Sequence, residues 1–254
     1  MVWGETLVEL LFFPGFVFLI ALAFLYEWVE RKVAARLQNR YGPLYTGFSG
    51  ILQPIADFIK LLSKEDITPE AVDKPIFHIV PILYLALPLS AMFMIPITGL
   101  RSIVSFDGDL IFMMFILTLI SITTFMAGWS SVCRFSAFGG SRSALQMIGY
   151  EIPMTLAMVG PALAARTLSI SGIVSWQSQH GIWFILLQPL GFAVLVLCSL
   201  AELEFVPFDI PEAETEVVAG WLTEFSGRKL SLIHLGKNLE LTLLASLITS
   251  LYLG

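Results

Sequence analysis

Six long apolar runs, at about residues 7–29, 77–99, 110–132, 145–166, 182–201 and 231–253, constrain this chain more than any other feature. Each approaches or exceeds the ~20 apolar residues with which an α-helix crosses a bilayer core. The expected fold is an all-α integral membrane protein: about six transmembrane helices plus amphipathic helices at the interface, in a single membrane domain over residues 1–254. Composition agrees, with 57% hydrophobic and 13% charged residues against roughly 25% charged in a soluble domain. An ordinary water-soluble enzyme is thereby excluded. The net charge of −6 leaves no basic footprint for nucleic acid. The first run opens on Glu5 and Glu9, with no small-residue cleavage site after it, and is read as a retained span.

Basic residues distribute unevenly between the connections. Arg31, Lys32, Arg36, Arg40, Lys60, Lys64 and Lys74 fall in 30–76, Arg134 and Arg142 in the third connection, and Arg228 and Lys229 in the fifth. The alternate side has only Arg101 and Arg166. Lys and Arg accumulate on cytoplasmic loops. The expectation is therefore a multi-pass protein of the cell membrane with its N-terminus outside, and with the first loop, 30–76, and the acidic loop, 201–229, in the cytoplasm. Cys133 and Cys198 stand 65 residues apart, a spacing that offers no iron–sulfur or zinc site. No metal or cofactor is expected in the chain itself.

Within the first loop, Ile51, Leu52, Ile55, Phe58, Ile59 and Leu62 recur at helical spacing. Gln53, Asp57, Lys60 and Lys64 gather within roughly 60° on the other face. This reads as an amphipathic helix at the interface, either a surface anchor whose lysines reach toward headgroups or part of a site. Ahead of it, Glu30-Arg31-Lys32-Val33-Ala34-Ala35-Arg36-Leu37-Gln38-Asn39-Arg40-Tyr41 is a charged helix end halted by Gly42-Pro43. This run, followed by Gly50-Ile51-Leu52-Gln53-Pro54-Ile55-Ala56-Asp57 and by Lys60-Leu61-Leu62-Ser63-Lys64-Glu65, resembles the first loop of the H-type membrane subunit (subunit 1) of NADH:quinone oxidoreductase, respiratory complex I. That family includes the matching subunits of energy-converting membrane-bound nickel–iron hydrogenases. The resemblance implies a place beneath a peripheral redox arm, with Glu30, Arg31, Arg36, Gln38, Arg40, Gly42, Pro43, Asp57, Lys60 and Lys64 facing that arm or a quinone-like cavity.

The second signature runs from Ala201-Glu202-Leu203-Glu204-Phe205-Val206-Pro207-Phe208-Asp209-Ile210-Pro211-Glu212-Ala213-Glu214-Thr215-Glu216 to Glu224-Phe225-Ser226-Gly227. It places six acids within fifteen residues after a span. Helix capping accounts for part of it: Asp209 suits an N-cap with Glu212 at the third position, and Gly227 suits the end of that helix. Capping leaves Glu202, Glu204, Glu216 and Glu224 unexplained. Crowded carboxylates near a low-dielectric surface hold protons toward neutral pH, as a proton-relaying group must. The stretch also resembles the family's acidic loop, which implies a quinone cavity wall and the entrance of a carboxylate path.

Glu151 lies within the fourth run, where a charge costs about 2.5–3.5 kcal/mol if placed centrally, so it is expected to be paired, neutral or near an interface. Pro153 two residues later loosens the backbone ladder there. In the sixth run Lys237 and Glu240 stand three residues apart and are expected to pair across one turn. His234 reads as interfacial rather than a metal ligand.

Two departures accompany the resemblance. Relatives carry a glutamate near the position of Lys237, and quinone-reducing ones carry an arginine where this chain has Phe205. The second departure points toward the hydrogenase-like branch. Family members also continue into a further loop and two more helices. The resemblance thus implies a coupling and anchoring subunit that joins electron transfer to H⁺ or Na⁺ movement, with Glu151, Glu202, Glu204, Asp209, Glu212, Glu214, Glu216, Glu224, Lys237 and Glu240 in the ion path. The Gly220-containing loop helix is the expected bistable element. Iron–sulfur clusters and, in the hydrogenase branch, a nickel–iron centre would sit in partner subunits. The partners would be those of the redox arm, antiporter-like membrane subunits and the lipid bilayer. Competing readings are a quinone- or phenazine-reducing complex, a purely structural anchor and, more remotely, a stand-alone transporter, for which the chain shows no internal repeat.

Overall fold

The computed structural model describes residues 11–97, 99–100 and 102–254, the side chain of Glu214 excepted. Glu5, Glu9, positions 7–10 of the first run, Arg101 and the Glu214 side chain lie outside the described residues. Those described form helices and turns without a strand. In chain order the helices are α1 (Phe16–Leu37), α2 (Gln53–Ser63), α3 (Lys74–Met92), α4 (Asp109–Ser130), α5 (Arg134–Ala165), α6 (Ile170–His180), α7 (Phe184–Leu187), α8 (Pro189–Glu202), α9 (Glu214–Val217) and α10 (Gly227–Ile248). A π-helical turn, Thr249–Leu253, continues α10.

Among the described residues, α3, α4 and α5 are long and apolar enough to cross a membrane, and α8 is a shorter apolar helix. α1 and α10 are each 22 residues long, about 33 Å at 1.5 Å per residue. They carry Glu27, Glu30, Arg31 and Lys32, and Lys237 and Glu240, within their length, which lowers their mean hydropathy. α10 is central and packs on α3, α1, α2 and α8, while α4 lies between α3 and α5. Leu19, Phe77, Met113, Met158 and Leu243 are fully buried where these helices meet. The outer face of α5, with Leu145, Ile148, Ile152, Leu156 and Leu163, is 62–74% exposed. An apolar exterior on this scale suits hydrocarbon and not water.

The fourth apolar run begins its helix far earlier than hydropathy indicates. α5 spans 32 residues, about 48 Å, so Arg134 and Arg142 are helical and the third connection shrinks to Ser131–Cys133. The fifth run is not one helix. It breaks at Gln188 (φ −135°, ψ 60°) into α7 and α8, because Pro189 disfavours helical geometry in the residue before it. Gln188 Nε2 satisfies the Gly160 carbonyl at 3.2 Å across the break.

The acidic loop is also not the single helix that capping predicts. It forms a 3₁₀ turn at Ile210–Glu212, the one-turn α9, and a second 3₁₀ turn at Gly220–Leu222. Val218 (φ 65°) interrupts it, and Asp209 makes no capping bond. Gly227 begins α10 rather than ending a helix. It adopts φ +52°, and a Cβ there would stand 2.5 Å from the Glu65 carbonyl oxygen, so glycine admits the end of the first loop. Lys229, almost buried, completes this join. Its Nζ donates to Asp66 Oδ1 at 2.6 Å and Thr68 Oγ1 at 2.9 Å and lies 5.3 Å from the Phe77 ring centre.

α2 borders a cleft open to solvent with Asp57, Phe58, Lys60, Leu61 and Lys64; Lys60 and Lys64 remain exposed at its mouth, and Ile51, Leu52, Ile55 and Ile59 at and beside the helix are exposed as well.

Candidate functional site

The cavity that α2 helps to wall has a volume of ≈540 Å³. α1 contributes Glu27, Glu30 and Arg31; α2 contributes Asp57, Lys60 and Lys64; the acidic loop contributes Glu204, Phe205 and Glu212; α10 contributes His234, Lys237 and Asn238. Arg31 ties the first two walls. It donates to Asp57 Oδ2 at 2.5 Å and pairs with Glu27 one turn back. The other oxygen of Glu27 accepts from Asn238 Nδ2 at 2.6 Å, which joins α1 to α10.

At the inner end of the cavity Lys237 gathers the loop carboxylates. Its ammonium pairs with Glu212, stands 3.6 Å from Glu204 Oε2 and lies 5.0 Å from the centre of the Trp221 ring. Glu204 is 9% exposed. One of its oxygens accepts from Ser143 Oγ at 2.9 Å and the other from Trp221 Nε1 at 3.0 Å. Burial pushes the Glu204 carboxyl above its ordinary range; Lys237 and the two donors oppose that rise, and Glu212 adds to it. The predicted Lys237–Glu240 pair is not formed, because the loop carboxylates reach the ammonium instead. Glu240, 2% exposed, accepts from Tyr84 Oη on α3 at 3.1 Å, and the Tyr84 ring lies 5.5 Å from that of Trp221.

Deeper still, three helices bring carboxylates and hydroxyls together. Ser121 on α4 donates to Glu202 Oε1 at 3.1 Å and lies 3.1 Å from Tyr150 Oη on α5. Thr118 donates to Glu151 Oε1 at 2.5 Å. These five side chains line a cavity of ≈20 Å³, room for about one water molecule. The interior polar groups thus form successive clusters: Lys237 with Glu204 and Glu212 at the ≈540 Å³ cavity, Glu240 with Tyr84, Glu202 with Ser121 and Tyr150, and Glu151 with Thr118. Such an arrangement can take up a proton at one end and pass it between carboxyl and hydroxyl groups.

Not every residue singled out in the sequence joins this set. Arg36, Gln38 and Arg40 are exposed beyond the cavity, and Gly42 and Pro43 border a separate shallow depression with Tyr41 and Tyr45. Asp209 is exposed, Glu216 is exposed and pairs with Arg142 at 2.5 Å, and Glu224 is half-buried with no side-chain hydrogen bond among the described residues. Glu27, Tyr84, Thr118, Ser121, Ser143, Tyr150, Trp221 and Asn238 are partners that the sequence pattern does not pick out. Glu27 carried a usable signal, an acid inside an apolar run four residues before an arginine. The hydroxyl residues carried none, since one Ser or Thr in a span usually bonds the carbonyl a turn back. Among the described residues no group of three His, Cys, Asp or Glu side chains could hold a metal ion.

An apolar exterior, helices of membrane-crossing length and clusters of carboxylates within an apolar core define a polytopic helical membrane protein with ionisable groups in its interior. The family described as NADH dehydrogenase matches residues 9–254, nearly the whole chain. The protein belongs to that family, as a membrane subunit of the subunit 1 type found in complex I-related complexes.

Proposed function

We propose that this chain is the coupling and anchoring subunit of a hydrogenase-type member of the complex I-related complexes, and that it links electron transfer in the peripheral arm to movement of H⁺ or Na⁺. The observation that carries this reading is a set of carboxylates in the interior, Glu204, Glu240 and Glu202 buried and Glu212 and Glu151 partly so, each bonded to a hydroxyl or ammonium on a neighbouring helix. The first loop and the acidic loop would face the cytoplasm, hold the redox arm and form the cavity beneath it. Redox events at a partner's iron–sulfur centre would alter protonation in that cavity. The change would pass through Glu202 and Glu151 toward antiporter-like partners. Phe205 in the cavity wall favours the hydrogenase branch over a quinone reducer, because the resemblance gives quinone-reducing relatives a cation at that position.

Glu151→Gln and Glu202→Gln test the proposal in the assembled complex. Both should assemble and transfer electrons, while ion uptake into inverted vesicles per electron falls roughly tenfold. Wild-type uptake in both variants would refute it. Loss of assembly after neutralising the acidic loop, with Glu151→Gln pumping normally, would favour the structural anchor.

A further inference from the structure

Lys237 has two sets of acceptors within reach of one side chain. In the present arrangement its ammonium belongs to the acidic loop, paired with Glu212 and 3.6 Å from Glu204. Glu240, three residues further along α10, accepts from Tyr84 alone among the described hydrogen-bond donors. Residues three apart on a helix are neighbours. The same ammonium can therefore turn from the loop to Glu240 by rotating its four side-chain bonds.

We infer that Lys237 is a positioning residue that moves between these two settings, pinning the acidic loop in one and neutralising Glu240 in the other. The inference rests on the coupling reading and adds the moving part. Protons delivered from the cytoplasmic solvent as hydronium, which is left as water, to both Glu204 and Glu212 remove the negative charges that hold the ammonium. Lys237 then swings inward as an intact ammonium, and positive charge advances one helical turn without any covalent bond to the lysine being broken. Burial already favours the protonated form of Glu204. The Trp221 ring beside Lys237, 5.0 Å away, and Tyr84, 5.5 Å beyond it, mark the way.

Several titratable or charged groups surround the ammonium and contribute to its pH response. His234 and Glu240 share its helix, Glu204 and Glu212 come from the loop, and Tyr84 comes from α3. Across the cavity stand Glu27, Glu30 and Arg31 of α1, with Asp57, Lys60 and Lys64 of α2.

The test uses the whole complex in inverted vesicles, reading electron transfer, ion uptake per electron and the pH profile of uptake. The exchange Glu212→Lys with Lys237→Glu keeps an ion pair between loop and α10 but leaves no cation to reach Glu240. Lys237→Arg keeps the cation yet favours a two-toothed grip on the loop carboxylates. Both should transfer electrons with uptake per electron reduced roughly fivefold or more, and with a flattened pH profile. Wild-type uptake and profile in either assembled variant would overturn the inference. If neither assembles, Lys237→Gln is read in the same way, and failure of all three to assemble assigns Lys237 a purely structural role. Glu151→Gln separates the two levels: uptake lost there but retained in the Lys237 variants sinks only the swing, whereas uptake retained in both sinks the coupling reading.

Discussion

Trp221 and Ser143 each donate to one oxygen of Glu204, and both bonds favour the ionised form against the burial that opposes it. Trp221→Phe or Ser143→Ala should therefore raise the pH at which this carboxyl loses its proton, by about one pH unit. The protonated carboxyl band in an infrared titration reads this directly. Stability follows with a definite sign. A folded-state value above the free one means that folding takes up a proton. The contribution is then complete below the free carboxylate value and is lost as pH rises through the folded one. In the sequence Glu204 is only one acid among several. Asp209, which has a better local motif, is exposed, whereas Glu204 is buried by an indole 17 residues away. Local spacing identifies capping partners, but which carboxylate is covered depends on how the chain returns, and spacing does not encode that.

At the scale of elements, the helices were readable wherever hydropathy and length coincide. α4 matches its apolar run within two residues at either end. α5 does not, because its first three turns mix Arg134, Ser136, Gly139, Gly140, Ser141 and Arg142 with Phe135 and Phe138, which dilutes their hydropathy, while they pack on α4 and on the turn at Gly220–Leu222. Gly139 makes that approach possible. A Cβ there would fall 2.6 Å from the Trp221 nitrogen and 2.7 Å from Gly220 Cα. Gly139→Ala should push the turn off α5 and lower the melting temperature of the detergent-solubilised complex, with the Glu204 infrared band moving in parallel. The join between the first loop and α10 gives a second measure. Lys229→Met removes the cation from Asp66, which is 35% exposed in its side chain and can regain water. The expected loss is therefore about 2 kcal/mol, below the 3–5 kcal/mol of a fully buried broken pair, read from thermal unfolding.

At the scale of the whole molecule, the described residues form an apolar core that encloses a few buried ionisable groups, Glu202, Glu204, Lys229 and Glu240 among them, behind an apolar exterior. Positive charges in the first loop showed the imbalance between connections, but not that α2 would set Asp57, Lys60 and Lys64 along an open cleft and leave its isoleucines exposed. An amphipathic pattern specifies two faces, and only the surrounding fold decides which is inward. The apolar exterior of α5 is the surface most sensitive to an added charge. Leu156→Lys on α5, 68% exposed, should cost about 3 kcal/mol of membrane insertion and reduce the membrane-integrated fraction. Arg40→Leu, on an exposed loop, should leave that fraction unchanged.

The length of α5 has a mechanical consequence. One unbroken helix carries Arg142, Ser143 and Gln146, which hold the acidic loop, and then Glu151 and Ala157, whose carbonyl accepts the Tyr252 hydroxyl at 2.7 Å. Pro153 and Pro161 lie inside this helix, and Pro153, which removes a ladder bond, stands between the loop contacts and Ala157, so the helix has a place to bend between its two attachments. Strain applied by the loop would therefore be taken up as bending at Pro153, beside Glu151, before it reached Tyr252.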